Sequence, residues 1–117
     1  MIKIIDRLFI GLMAFATLGH LFGTFKFFGP ETNIFVWSLS GALAASLLVA
    51  LNILRNTRPQ DKTVATITLF GNLGWFCIVL LFGHFLGNYA DFRVLFHGTA
   101  VLGLICFSIR TLVIRWG

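Results

Sequence analysis

The segment VATITLFGNLGWFCIVLLFGHFL, Val64–Leu86, runs its whole length without an Asp, Glu, Lys or Arg. About 20 apolar residues in helical form cross the roughly 30 Å hydrocarbon core of a bilayer, and this stretch is long enough. It lacks the apolar/polar alternation of a barrel strand, so a membrane-spanning helix is expected. Three further runs of the same kind flank it: Leu8–Phe27, Ile34–Leu54 and Val94–Ile114. Each break has a physical cause. Gly29-Pro30-Glu31-Thr32-Asn33 is a turn whose proline restricts the residue before it. Arg55–Lys62 is too charged for lipid, and Gly87-Asn88-Tyr89-Ala90-Asp91 closes the third run. The basic residues Lys3 and Arg7 precede an apolar run longer than a signal-peptide core, with no small-x-small cleavage site, so that run reads as a retained helix.

Four spans nearly exhaust the chain, and residues 1–117 read as one all-α integral membrane domain, a four-helix transmembrane bundle. The composition agrees. Only 11% of residues are charged and 58% are hydrophobic, with a mean hydropathy of +0.94, whereas soluble domains carry about 25% charged residues. That excludes a soluble globular domain, a disordered chain, a disulfide-stapled secreted module and a nucleic-acid-binding domain.

Lysine and arginine bias orients such a protein. With both termini on one side, that side holds Lys3, Arg7, Arg55, Arg58, Lys62, Arg110 and Arg115, against Lys26 and Arg93 on the other. The expectation is both termini cytoplasmic (N-in/C-in), in a bacterial inner membrane. Tyr89 and Trp116 fall where interfacial aromatic anchors belong. The inner cations are expected mainly to set topology while facing anionic lipid head groups.

The chain also echoes itself. Gly19-His20-Leu21-Phe22-Gly23-Thr24-Phe25 matches Gly83-His84-Phe85-Leu86-Gly87-Asn88-Tyr89 in the pattern Gly-His-apolar-apolar-Gly-polar-aromatic. A direct repeat of two helical hairpins, related by a pseudo-two-fold axis along the membrane normal, would produce it. The paired glycines, like the strip Ser38, Gly41, Ala42, Ala45 and Ser46, lie at the spacing that lets helix backbones or a flat ligand approach closely.

Three histidines, His20, His84 and His97, fall in the outer halves of three spans, roughly 7–10 Å below the outer charges at 1.5 Å rise per residue. Ionisable groups inside a membrane are costly and tend to face the bundle interior. If the first and third spans turn toward one centre, His20 and His84 would ligate a haem b iron. Gly19, Gly23, Gly83 and Gly87 would then give the porphyrin room. Thr24 and Asn88 would supply hydrogen bonds, and His97 a third ligand or a propionate contact. A metal ion on His20, His84 and His97 is the variant. The simpler alternative is that each imidazole donates to a neighbouring carbonyl or hydroxyl and fixes helix register.

Other chemistry has less support. Every acid lies near a span end, which disfavours carboxylate-coupled transport. Cys77 and Cys106 lack redox spacing and are expected to be buried mid-membrane as small apolar groups. Asn52, Asn72 and Trp75 are expected to bond helix to helix. Ser38 and Ser40 have no acid at their depth except Asp91 or Glu31, so the residues argue against an enzyme. Two functional expectations stand: a non-catalytic accessory subunit packing in a larger membrane complex or homo-oligomer, with membrane lipids and other transmembrane helices as partners, or a haem- or metal-binding protein for electron transfer or sensing.

Overall fold

The computed structural model describes residues 1–114, so Arg115 and Trp116 lie outside the described residues. Four helices follow in order: α1 (Ile2–Phe27), α2 (Asn33–Thr57), α3 (Lys62–Leu86) and α4 (Phe92–Val113). All four are long and apolar enough to cross a membrane, and the described residues contain no strand. The bundle measures 52 × 26 × 22 Å.

The helices outrun the apolar segments, because helical hydrogen bonding continues where hydrophobicity stops. α1 begins at Ile2 rather than Leu8, and α2 ends at Thr57 rather than Leu54. Polar side chains set the starts of α2, α3 and α4. Thr32 Oγ1 accepts from the Phe35 amide at 3.3 Å and Asp61 Oδ1 from the Val64 amide at 3.0 Å, the N-cap geometry that satisfies orphan donors. Asp91 Oδ1 accepts from the Arg93 amide at 2.9 Å. α3 stops at Gly87, whose φ of 66° is left-handed. The Gly87 amide donates to His84 O and the Asn88 amide to Gly83 O, a Schellman closure that favours glycine.

Around the bundle, α2 packs on α1 and α3, and α4 on α3 and α1. α2 and α4 approach across the middle, while the α1 and α3 backbones stay apart. Small residues admit large neighbours at the contacts. Gly103 makes room for the Phe9 ring, Gly71 for Leu48 and Gly41 for His20. The apolar interior gathers Ile10, Met13, Ala45, Leu48, Trp75, Val79, Val94, Val101 and Leu104.

The distribution of polarity is inverted relative to a water-soluble protein. Phe15, Leu18, Trp37, Phe70 and Phe85 are exposed, whereas Asn52, Arg55, Thr68, Asn72 and Ser108 are buried. Exposed apolar area on this scale needs a non-aqueous surrounding, and lipid supplies one. Cys77 and Cys106 are free and exposed rather than buried: each occupies an outward position of its helix, where a small apolar side chain can face lipid.

Candidate functional site

Each of the three histidines has its own surroundings. His20, on α1, places Nε2 2.9 Å from the Ser38 carbonyl oxygen. A carbonyl only accepts, so Nε2 carries the proton. Thr24, buried one turn on, donates through Oγ1 to His20 O at 2.9 Å and lies 2.6 Å from Ser38 Oγ. The ring sits over Gly41, where an added Cβ would come within 3.3 Å of Nε2. His20, Thr24 and Ser38 thus join α1 to α2.

His97, on α4, is half-buried and lies against Trp75 of α3, with ring centroids 5.9 Å apart. Its Nδ1 and the Trp75 Nε1 are buried without a hydrogen-bond partner among the described residues. His84, on α3, is exposed, and its ring rests on Phe85 of the same helix at 5.6 Å. It shares no centre with His20, because the α1 and α3 backbones do not come close to each other and His84 lies on the outer surface. Among the described residues, no group of three or more His, Cys, Asp or Glu side chains is placed to hold a metal ion.

The echoed residues also play different parts. Gly83 is buried and makes room for Tyr89 and Val94, Gly87 ends α3, and Asn88 Oδ1 accepts from the Ala90 amide at 3.0 Å. In α1 the helix runs straight through Gly19 and Gly23. A Cβ at Gly19 would meet nothing, and one at Gly23 only Phe27 of the same helix.

The densest polar constellation lies toward the other end of the bundle. Arg55 is 1% exposed and Asp6 6%, in place of the solvated inner charges the sequence suggested. Arg55 Nη2 donates to Asp6 Oδ1 at 2.6 Å and Nη1 to Asp6 Oδ2 at 2.9 Å. The remaining guanidinium donors reach Asn52 Oδ1 at 3.3 and 3.4 Å and Thr111 Oγ1 at 3.2 Å. All five N–H groups are therefore engaged. Asn56 Nδ2 donates to Asp6 Oδ2 at 2.8 Å, and Asn56 Oδ1 accepts from Arg7 Nε at 3.3 Å.

From Arg55 the network continues inward. Asn52 Nδ2 donates to Asn72 Oδ1 at 2.9 Å, and Asn72 Nδ2 returns a bond to Asn52 Oδ1 at 3.2 Å while donating to Ser108 Oγ at 3.0 Å. Thr68 Oγ1 reaches Leu51 O of α2 at 3.3 Å. Lys62 Nζ donates to the carbonyls of Thr111, Leu112 and Ile114 at 2.6, 3.1 and 2.9 Å, closing the α4 C-terminus, where a cation complements the helix dipole.

One network thus links all four helices. A bidentate arginine–carboxylate pair is the strongest such contact, and here the guanidinium has no donor left for a ligand. The arrangement is suited to cohesion rather than catalysis. It also corrects two readings: Asp6 is a buried acid, and Arg55 is unavailable to lipid head groups. The signal lay in the spacing, since Asn52, Arg55 and Asn56 fall at i, i+3 and i+4, with Thr68/Asn72 and Ser108/Thr111 likewise on single helix faces.

Compared with known proteins, the chain matches no protein family, no curated protein and no solved structure.

Proposed function

We propose that this chain is a multi-span membrane protein that works by packing against other transmembrane helices, as an accessory subunit of a larger complex or with copies of itself, and performs no chemistry of its own. One observation carries the reading. Helix glycines inside the bundle meet a neighbouring helix, as Gly41, Gly71, Gly98 and Gly103 do, whereas Gly11 and Gly19 of α1 and Gly74 of α3 have nothing within 4 Å of an added Cβ. Glycine in a helix costs about 1 kcal/mol relative to alanine, and in lipid, close backbone approach is a main source of helix association. The bare glycines lie among exposed apolar side chains: Gly19 beside Phe15 and Phe22, Gly74 beside Phe70 and Ile78. Such open backbone lets another helix approach closely.

The internal polar network supports the same reading, because Asp6, Arg55, Asn52 and Asn72 bond within the bundle and leave an exterior that is mainly apolar. The orientation belongs to this proposal too: both termini cytoplasmic in a bacterial inner membrane, from the basic residues gathered at one end. So does the origin of the fold in two duplicated hairpins.

Gly19→Leu and Gly74→Leu test the packing. Both fill open surface, so the variants should fold as the parent does, by circular dichroism and thermal unfolding. Self-association or co-purification of partner subunits should fall at least about tenfold, equivalent to about 1.4 kcal/mol. Unchanged association in both variants would refute the reading.

A further inference from the structure

We propose that the interior of the bundle binds one water molecule, held between the Trp75 indole of α3 and the His97 imidazole of α4. Trp75 is 9% exposed, and its Nε1 and the His97 Nδ1 are buried with no hydrogen-bond partner among the described residues. These two nitrogens stand apart from the rest of the interior, where Asn52, Arg55, Thr68, Asn72 and Ser108 are all bonded. A buried polar group without a partner is costly, and the bilayer core has no water of its own to relieve it. Two such groups on facing rings, one from each helix, mark a place built for a polar guest.

The chemistry of the pair selects the guest. An indole N–H only donates, whereas a neutral imidazole nitrogen donates or accepts according to its tautomer. A water oxygen accepts from Trp75 Nε1 and then serves His97 Nδ1 in either tautomer, with a hydrogen or with its second lone pair. An apolar guest would leave both nitrogens unpaired. The separation suits one water: two hydrogen bonds of about 2.9 Å through one oxygen span up to about 5.8 Å, and the ring centroids lie 5.9 Å apart. Two partners are enough for a buried water, which makes about two to four bonds. The bridge also has a structural consequence. Direct bonds join α3 to α4 near Lys62, where Asn72 Nδ2 reaches Ser108 Oγ and Lys62 Nζ reaches the Thr111 and Leu112 carbonyls. The water ties the same two helices beyond Asn72, toward the turn that connects them. This site lies inside the bundle and is independent of the helix-packing proposal.

The test uses the full isotope-labelled chain in a deuterated neutral detergent, with nuclear Overhauser effects from water read at the Trp75 indole N–H. Trp75→Phe assigns that resonance by its loss. The indole N–H should show a cross-peak to water with the sign of a bound molecule, and His97→Phe, which removes the second partner, should abolish it. No cross-peak in the parent chain, or one that survives His97→Phe undiminished, would overturn the proposal. A second measurement needs no variant and decides the matter should His97→Phe not fold. A scalar coupling across a direct N–H···N bond, from Trp75 Nε1 to His97 Nδ1, should be absent in the parent chain while the water cross-peak is present. Its detection would show the two rings bonded to each other and overturn the proposal.

Discussion

Arg55 lies in the last turn of α2 yet has almost no exposed surface, with every N–H committed to Asp6, Asn52 or Thr111. Removing one partner of such a pair leaves the other buried and uncompensated, at a cost of about 3–5 kcal/mol, whereas replacing both by apolar residues of similar size is often nearly neutral. Arg55→Met and Asp6→Leu should each destabilise the bundle by about that amount, and the double variant should recover most of the loss. Unfolding in mixed micelles measures all three, and additive losses would mean that the pair contributes little. The residues of this network were visible in the sequence, but their pairing was not. Asp6 and Arg55 read as two flanking charges because charge near a span end is ordinarily solvated. Only the approach of α1 to α2 buries them together. Asn52 and Asn72, polar within apolar runs, carried the stronger signal, and they do bond helix to helix.

At the scale of the element, the caps explain where helices begin and end. Gly87 takes a left-handed conformation to close α3, so Gly87→Ala should cost about 1–2 kcal/mol, measured by thermal unfolding. A Gly19→Ala change on the open surface of α1 should cost nothing or stabilise slightly. That contrast separates two glycines that the echo places in register with Gly83 and Gly23. The echo was legible as a pattern, but identical residue types at a helix end and in a helix middle have different work to do, and so His84 and His20 face different surroundings. Asp91 caps α4 and bonds the Arg93 guanidinium at 3.0 Å. Those bonds from Arg93, side chain first and backbone amide second, hold the Asp91 carboxyl below the usual carboxylate range. A carboxyl depressed by folding stabilises the fold above its unfolded value, and that contribution disappears as pH falls through the lower folded value. The cap should therefore weaken at a lower pH than it would with an unperturbed carboxyl. In an NMR titration, Arg93→Ala should move the Asp91 midpoint upward.

Across the whole molecule, the number of helices and their apolar character were readable from the sequence, because charge and proline interrupt the runs so sharply. Helix rotation was not readable. A span apolar on every side does not reveal which face turns inward, and this left the histidines, the cysteines and the glycine strips unassigned. Packing resolved them. Polar side chains turned in to bond one another, Cys77 and Cys106 turned out, and Gly11, Gly19 and Gly74 were left with bare backbone on the surface. Proteins without partners in lipid gain nothing from such bare surface, and in the proposed role a second set of helices covers it. The mass of the assembly extracted from native membranes in a mild detergent, corrected for bound detergent and lipid, tests this most directly. The account predicts a complex whose protein mass is at least twice the 13.0 kDa of one chain, reverting toward one chain with Gly74→Leu. A single chain at every protein concentration would contradict it.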